Sequence, residues 1–158
     1  MNPTLRAAVV ADAVDVANVL QASRRGFLPY APSAHSEPEV RRWVRDTLIP
    51  SGAVTVACAG SRVVGVLASS STPGCGWIDQ LYLMPDVVRQ GIGSQLLKHA
   101  LLALPRPVRL YTFQANTGAR AFYERNGFVA VRFSDGRSNE EHCPDVLYEL
   151  SASAPNLA

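Results

Sequence analysis

Two periods of apolar residues alternate along this chain, and a glycine or proline stands at most of the changes from one to the other. Runs such as Val54–Ala59 and Val108–Phe113 have the length and β-branched content of strands. Between such runs, apolar residues three and four apart mark helices. Ala13, Val16, Ala17 and Leu20 form one stripe; Ile92, Leu96, Leu97, Ala100 and Leu101 form another. Repeated switching between period two and period 3.6 describes helices packed on a sheet, an α/β chain.

Residues 5–10 read as the first strand, followed by a helix that Asp12 caps and Gly26 ends. Residues 27–35 contain two prolines and are expected to form a loop. Ser36 and Glu39 make a capping box for a second helix, which Pro50 stops. Residues 54–59 and 63–69 pair across a turn at Gly60-Ser61; 70–76 is a Ser/Gly/Pro loop; 77–84 is a fourth strand. Gly91 opens a third helix that Pro105 terminates. A fifth strand covers 108–113, and a short helix covers 117–125, closed by Asn126-Gly127. Residues 128–133 and 146–150 are a closing pair of strands around a polar loop at 134–143. Residues 1–150 are thus expected to form one domain, and the small polar residues 151–158 a frayed tail.

The formal charge of +2 is too small, and Lys and Arg too dispersed, to indicate nucleic acid or a membrane surface. No apolar run approaches the ~20 residues of a membrane span. The N-terminus lacks a basic stretch followed by an apolar h-region. Three cysteines, an odd number, match neither a zinc site nor a disulfide framework; reduced thiols and a cytoplasmic location are expected, with no metal.

Arg89-Gln90-Gly91-Ile92-Gly93-Ser94 falls directly between the fourth strand and the third helix. Glycine there lets a ligand approach the backbone, and the unpaired amides of the first helical turn favour phosphate. A bare strand-to-helix turn would ask for the same glycines. The dinucleotide fingerprint fits poorly, because Leu96 stands where its third glycine belongs; so does the P-loop, because Lys98 is too far along. Further on, Asn116 lies at the start of the short helix and Tyr123 two turns later, so both can face one cleft.

Together these segments resemble the GNAT acetyltransferase superfamily. Residues 88–93 match its Gln/Arg-x-x-Gly-x-Gly/Ala signature, with Val88 standing where the family prefers Gln or Arg. Residues 116–128 match its Asn-x-x-Ala-x-x-Phe/Leu-Tyr-Glu-x-x-Gly-Phe pattern. The resemblance implies a single-domain fold with a mixed, mostly antiparallel sheet of about seven strands flanked by about four helices. It implies acetyl-CoA as co-substrate and an amine acceptor, and it is compatible with a homodimer. By the same resemblance, Val88, Arg89, Gln90, Gly91, Ile92, Gly93 and Ser94 surround the pyrophosphate. Leu81, Tyr82 and Leu83 lie on a splayed fourth strand that pairs with pantetheine and offers an oxyanion donor. Asn116 bonds the pantetheine region, and the Tyr123 hydroxyl lies near the thioester sulfur.

Acetyl transfer to an amine requires amine deprotonation, oxyanion stabilisation and a proton for the thiolate. Tyr123 can supply the last, because a phenol with pKa ~10 is protonated at neutral pH. The fifth-strand position where some family members carry an acid is Tyr111 here, which leaves Asp79 as the only acid in the fourth strand and the candidate base. A bond to backbone or to an arginine suits Asp79 equally well. By the resemblance, Phe27, Tyr30, Trp77, Glu140 and Glu141 are expected at the acceptor, the two glutamates suiting a cationic amine; packed aromatics and a solvated polar loop account for them equally well. A catalytically silent acyl-CoA-binding domain would keep Gly91, Gly93 and Asn116 with no need of acid or base.

Overall fold

A computed structural model describes residues 2–29 and 34–155. Seven strands form one sheet: β1 (Thr4–Ala7), β2 (Val54–Ala59), β3 (Arg62–Thr72), β4 (Cys75–Leu83), β5 (Val108–Phe113), β6 (Val129–Ser134) and β7 (Asp145–Leu150). Their order across the sheet is β1-β2-β3-β4-β5-β7-β6. All neighbours are antiparallel except β4 and β5. The α-helices among the described residues are α1 (Ala13–Phe27), α2 (Glu37–Trp43), α3 (Ile92–Leu101) and α4 (Thr117–Arg125).

The two faces of the sheet carry separate cores. On one, Val16, Ala17 and Val19 of α1 pack on Val54, Val56, Val63 and Val66. On the other, Ile92, Leu96 and Leu97 of α3 meet Val64, Leu67, Val108, Leu110, Val146 and Tyr148. Alternation along each strand feeds the two cores, which is why β2 and β3 read as nearly continuous apolar runs.

Several local expectations change once tertiary partners are present. Asp12 does not cap α1: its carboxylate accepts two hydrogen bonds from Arg6, at 2.7 and 2.9 Å, and one from the Val9 amide at 2.8 Å. The Arg6 guanidinium holds that carboxyl below its ordinary range. Gly26 does not end α1, which runs on to Phe27; a Cβ at Gly26 would lie 3.0 Å from the Pro85 ring, so glycine is used there for close packing. The expected 70–76 loop is mostly strand, because β3 and β4 continue pairing to Thr72 and Cys75 around a turn whose Gly74 has φ +76°. Gly91 is the cap residue before α3 and not part of it. The helix ends at Leu101, short of Pro105. The tail residues 151–155 are tied down, since Arg106 Nη1 donates to the carbonyls of Ser151 and Ala154 at 3.4 and 2.7 Å.

Candidate active site

The site is created by a parting of strands. β4 and β5 pair only at Gly76 with Val108 and Trp77 with Arg109. Beyond those residues they diverge, and residues 78–83 of β4 have no strand partner on that side among the described residues. An extra residue, Asp79, interrupts the β3–β4 register, where Ser69 faces Ile78 and Ala68 faces Gln80. Such bulges bend a strand and re-aim its side chains. The gap becomes a cleft of about 1580 Å³. An ordinary single-ligand pocket holds ~300–1,000 Å³, so two reactants fit.

At one end of the cleft lies the turn before α3. Val88, Arg89, Gly91, Gly93 and Ser94 line it. Gly91 (φ +83°) and Arg89 (φ +65°) adopt the left-handed conformation, and a Cβ on Gly91 would meet nothing within 4 Å. The amides opening α3 are therefore presented to the cleft, a disposition suited to phosphate. Arg89 and Arg125 line the same end and add positive charge. Gly93 also borders the packing of α3 on its neighbours. An added Cβ would lie 3.4 Å from the Phe122 ring and 3.6 Å from Leu83, ordinary contacts that leave room for a small side chain. Ile92 is fully buried in the core, and neither it nor Gln90 lines the cleft.

Asn116 and Tyr123 border the middle of the cleft. Asn116 caps α4, its Oδ1 accepting from the Ala119 amide at 3.2 Å. That bond leaves the amide NH2 as the group able to meet a ligand. The other end of α4 is a Schellman cap. The Phe128 amide donates to the Tyr123 carbonyl at 3.0 Å and the Gly127 amide to the Glu124 carbonyl at 3.2 Å, with Gly127 at φ +89°. The apolar contact of that cap is Tyr123 against Phe128, edge to face with ring centroids 5.7 Å apart. The Tyr-Glu-x-x-Gly-Phe spacing is thus the sequence of a helix end that fixes the Tyr123 ring.

Tyr148 reinforces the same helix, and the sequence did not single it out. It lies on β7, fully buried, with its ring 6.2 Å from that of Tyr123. Its hydroxyl donates to Glu124 Oε2 at 2.6 Å and accepts from Arg120 Nε at 3.0 Å, holding two successive turns of α4. Only the pairing of sequence-distant β7 with this helix brings the three together.

Tyr123 is 8% exposed. Its hydroxyl has no hydrogen-bond partner among the described residues, yet no buried side-chain polar atom lacks one, so the hydroxyl opens to the cleft. Burial, aided by nearby Tyr82, pushes its pKa well above that of a free phenol. It is a protonated donor at neutral pH.

At the other end, Asp79, Gln80, Phe27, Leu28, Tyr111 and Glu141 line the cleft. Asp79 is exposed on its bulge and not half-buried as strand alternation suggests. It makes no hydrogen bond or ion pair with any described residue. The side chains of Leu81 and Leu83 pack toward α3, whereas Tyr82 turns to the α1 face. There burial raises the Tyr82 phenol, with Arg24 and Glu141 close by. The two glutamates are engaged. Glu141 pairs with Arg24 at 3.3 Å, tying the last loop to α1, and Glu140 meets His35 outside the main cleft. Trp77 does not line the cleft but stacks on Tyr111, which does, with centroids 6.0 Å apart and planes 13° apart. Tyr30 lies outside the described residues. Among the described residues, no group of three or more His, Cys, Asp or Glu side chains could hold a metal ion, and no helix is long and apolar enough to cross a membrane.

Comparison with known proteins agrees with this geometry. Residues 19–128 match the Acetyltransferase (GNAT) family. An 85-residue stretch is 36% identical to a protein of Mycobacterium tuberculosis named as a probable N-acetyltransferase, covering 49% of this chain and 47% of that protein, so about half of the relative's length is matched. A second relative, the uncharacterized N-acetyltransferase YafP of Escherichia coli, is 28% identical over 120 residues, 76% of this chain and 73% of that one. Among solved structures, the PaiA N-acetyltransferase of Thermoplasma acidophilum, in complex with coenzyme A, superposes with a TM-score of 0.75 at 20% identity, covering 96% of this chain and 99% of that one. Apo YjaB of Escherichia coli gives 0.76 at 19% identity, covering 98% and 100%. At such identities these two likenesses speak for the fold.

Proposed function

The chain belongs to the GNAT acetyltransferase family, and from that premise we propose that it transfers an acetyl group from acetyl-CoA to an amine by direct attack on the thioester. The observation that carries this is the parting of β4 and β5 between a phosphate-suited turn and a buried phenol that opens to the gap. The pyrophosphate lies on the amides opening α3, near Arg89 and Arg125. The pantetheine arm runs along the unpaired edge of residues 81–83 and meets the Asn116 amide. This places the thioester between that edge and Tyr123.

An acceptor ammonium loses a proton to Asp79, directly or through a water, and the neutral amine attacks the carbonyl carbon. The new C–N bond forms as the oxyanion is held by a backbone amide of the free β4 edge. The C–S bond then breaks and the departing thiolate takes the Tyr123 proton, while the second proton of the attacking nitrogen passes to the Tyr123 oxygen, so that neutral amide, free thiol and phenol result. The raised Tyr123 pKa keeps the phenol protonated through the working range and makes its phenolate a strong base, which favours recovery of the proton from the attacking nitrogen.

The test is in two steps. Titration calorimetry should show 1:1 acetyl-CoA binding. Incubation with a panel of amines should then release coenzyme A and yield products heavier by one acetyl group. Tight acetyl-CoA binding with no acetylated product across the panel would leave a binding domain in place of an enzyme.

A further inference from the structure

We propose that the acceptor is a primary amine carried on an aromatic body, an arylalkylamine with one positive charge; this rests on the acetyltransferase reading above. The inference comes from the half of the cleft that coenzyme A does not need.

Its charges set the first limit. Asp79, Glu141 and Asp145 line this half against Arg24 and Arg132, three carboxylates to two guanidinium groups. Glu141 is committed to Arg24 at 3.3 Å, and Asp145 accepts from Ser134 and Asn139. Asp79 remains the carboxylate with no partner among the described residues, and it stands where the strands open. One uncompensated negative charge matches one ammonium group. A polyamine would bring a second cation to a wall where Arg132 already stands, donating to the Tyr111 hydroxyl at 3.1 Å. A carboxylate-bearing acceptor would meet the excess negative charge.

The apolar lining sets the second limit. Phe27, Leu28, Tyr82, Tyr111 and Phe113 surround the same space. Tyr111 follows the last β4–β5 pair by two residues, so it stands at the point where the strands separate. Its ring is 52% exposed, and one face is already stacked on Trp77. A rigid exposed ring held by a second ring offers a preorganised surface for another aromatic group. α1 and the segment after α2 pack on β2 and β3, and α1 brings Phe27 to the cleft, whereas α3 and α4 lie on the opposite face. Tyr111 and Asp79 are both exposed and both line the cleft, so the ring is offered to a small molecule whose ammonium points to Asp79.

The experiment measures kcat/KM at saturating acetyl-CoA for tryptamine, phenethylamine, n-hexylamine, spermidine and phenylalanine, with wild type and Tyr111→Leu. Tryptamine and phenethylamine should exceed n-hexylamine by about fivefold or more, the scale of one aromatic contact. Spermidine and phenylalanine should fall below both. Tyr111→Leu should lower kcat/KM for the aromatic amines by more than for n-hexylamine, erasing their advantage. Trp77→Leu should do the same in weaker form. A preference for n-hexylamine, spermidine or phenylalanine, or an equal loss for every amine in Tyr111→Leu, overturns the proposal while leaving the acetyltransferase reading intact. So does acetyl-CoA binding with turnover of none of the five. Failure of acetyl-CoA to bind in calorimetry overturns the underlying reading itself.

Discussion

Replacing Tyr123 by Phe isolates one atom of the site. The ring is 8% exposed and packs on Phe122, Phe128 and Tyr148 at centroid distances of 5.2, 5.7 and 6.2 Å, and Phe keeps all three contacts. The hydroxyl bonds to no described residue, so its loss leaves no protein partner unsatisfied. Stability at neutral pH should therefore change by less than about 0.5 kcal/mol, and acetyl-CoA affinity should hold. Turnover should drop by about 10²-fold, the lower end for loss of a general acid, equivalent to ~2.7 kcal/mol of barrier. Residual activity is expected because a thiol of pKa ~8.5 leaves tolerably unaided. Single-turnover acetyl transfer, followed by thiol release from pH 6 to pH 10, is the assay. The same hydroxyl has a stability signature. Its folded pKa is raised, by burial first, above the ~10 of the unfolded phenol. Its contribution is complete below pH ~10, and it is lost as pH rises toward the folded value, where the native state still holds a proton the unfolded chain has released. The variant should lose less stability than wild type in urea titrations above pH ~10, with a residual slope from Tyr82 and Tyr148, which burial also raises. Wild-type single-turnover rates across the whole pH range would reduce Tyr123 to packing and refute the proton-donor argument.

Three further outcomes can be checked. Gly91→Val places a β-branched residue at φ +83° with open space around it, so it should cost about 1–2 kcal/mol in denaturant unfolding and weaken acetyl-CoA binding in calorimetry; Gly93→Ala, whose Cβ meets Phe122 at an ordinary 3.4 Å, should bind normally. Asp79→Asn should lower turnover at pH 7 by about 10²-fold, with acetyl-CoA affinity unchanged and part of the rate recovered at higher pH, where more amine is neutral; a pH-independent defect would place the base elsewhere. Tyr148→Phe removes the tie between β7 and two turns of α4; it should cost about 1–2 kcal/mol in stability, and in a double-mutant cycle with Tyr123→Phe its effect on turnover should be less than additive, additivity showing that it does not act through Tyr123.

The parts of this protein legible in the sequence are those whose determining contacts are close along the chain. α4 is the clearest case. Its Asn116 cap spans three residues and its Schellman end five, so Asn116, Tyr123, Gly127 and Phe128 together specify a helix, its two ends and the ring it presents. The capping box of Ser36 and Glu39 and the left-handed Gly91 before α3 belong to the same class. Tertiary structure decided whatever depends on a partner distant in sequence. Asp12 has the composition of a cap, but Arg6 on β1 and the Val9 amide offered its carboxylate stronger bonds. Gly26 looks like a stop, and its neighbour Pro85 makes it a packing residue. The bulge that exposes Asp79, and the divergence of β4 from β5 that makes the cleft, arise from a sheet register no single segment carries. Glu141 was neutralised in the same way, by an arginine 117 residues away. A cap satisfies itself within one helical turn; a cleft exists only between elements that each lack one side of it.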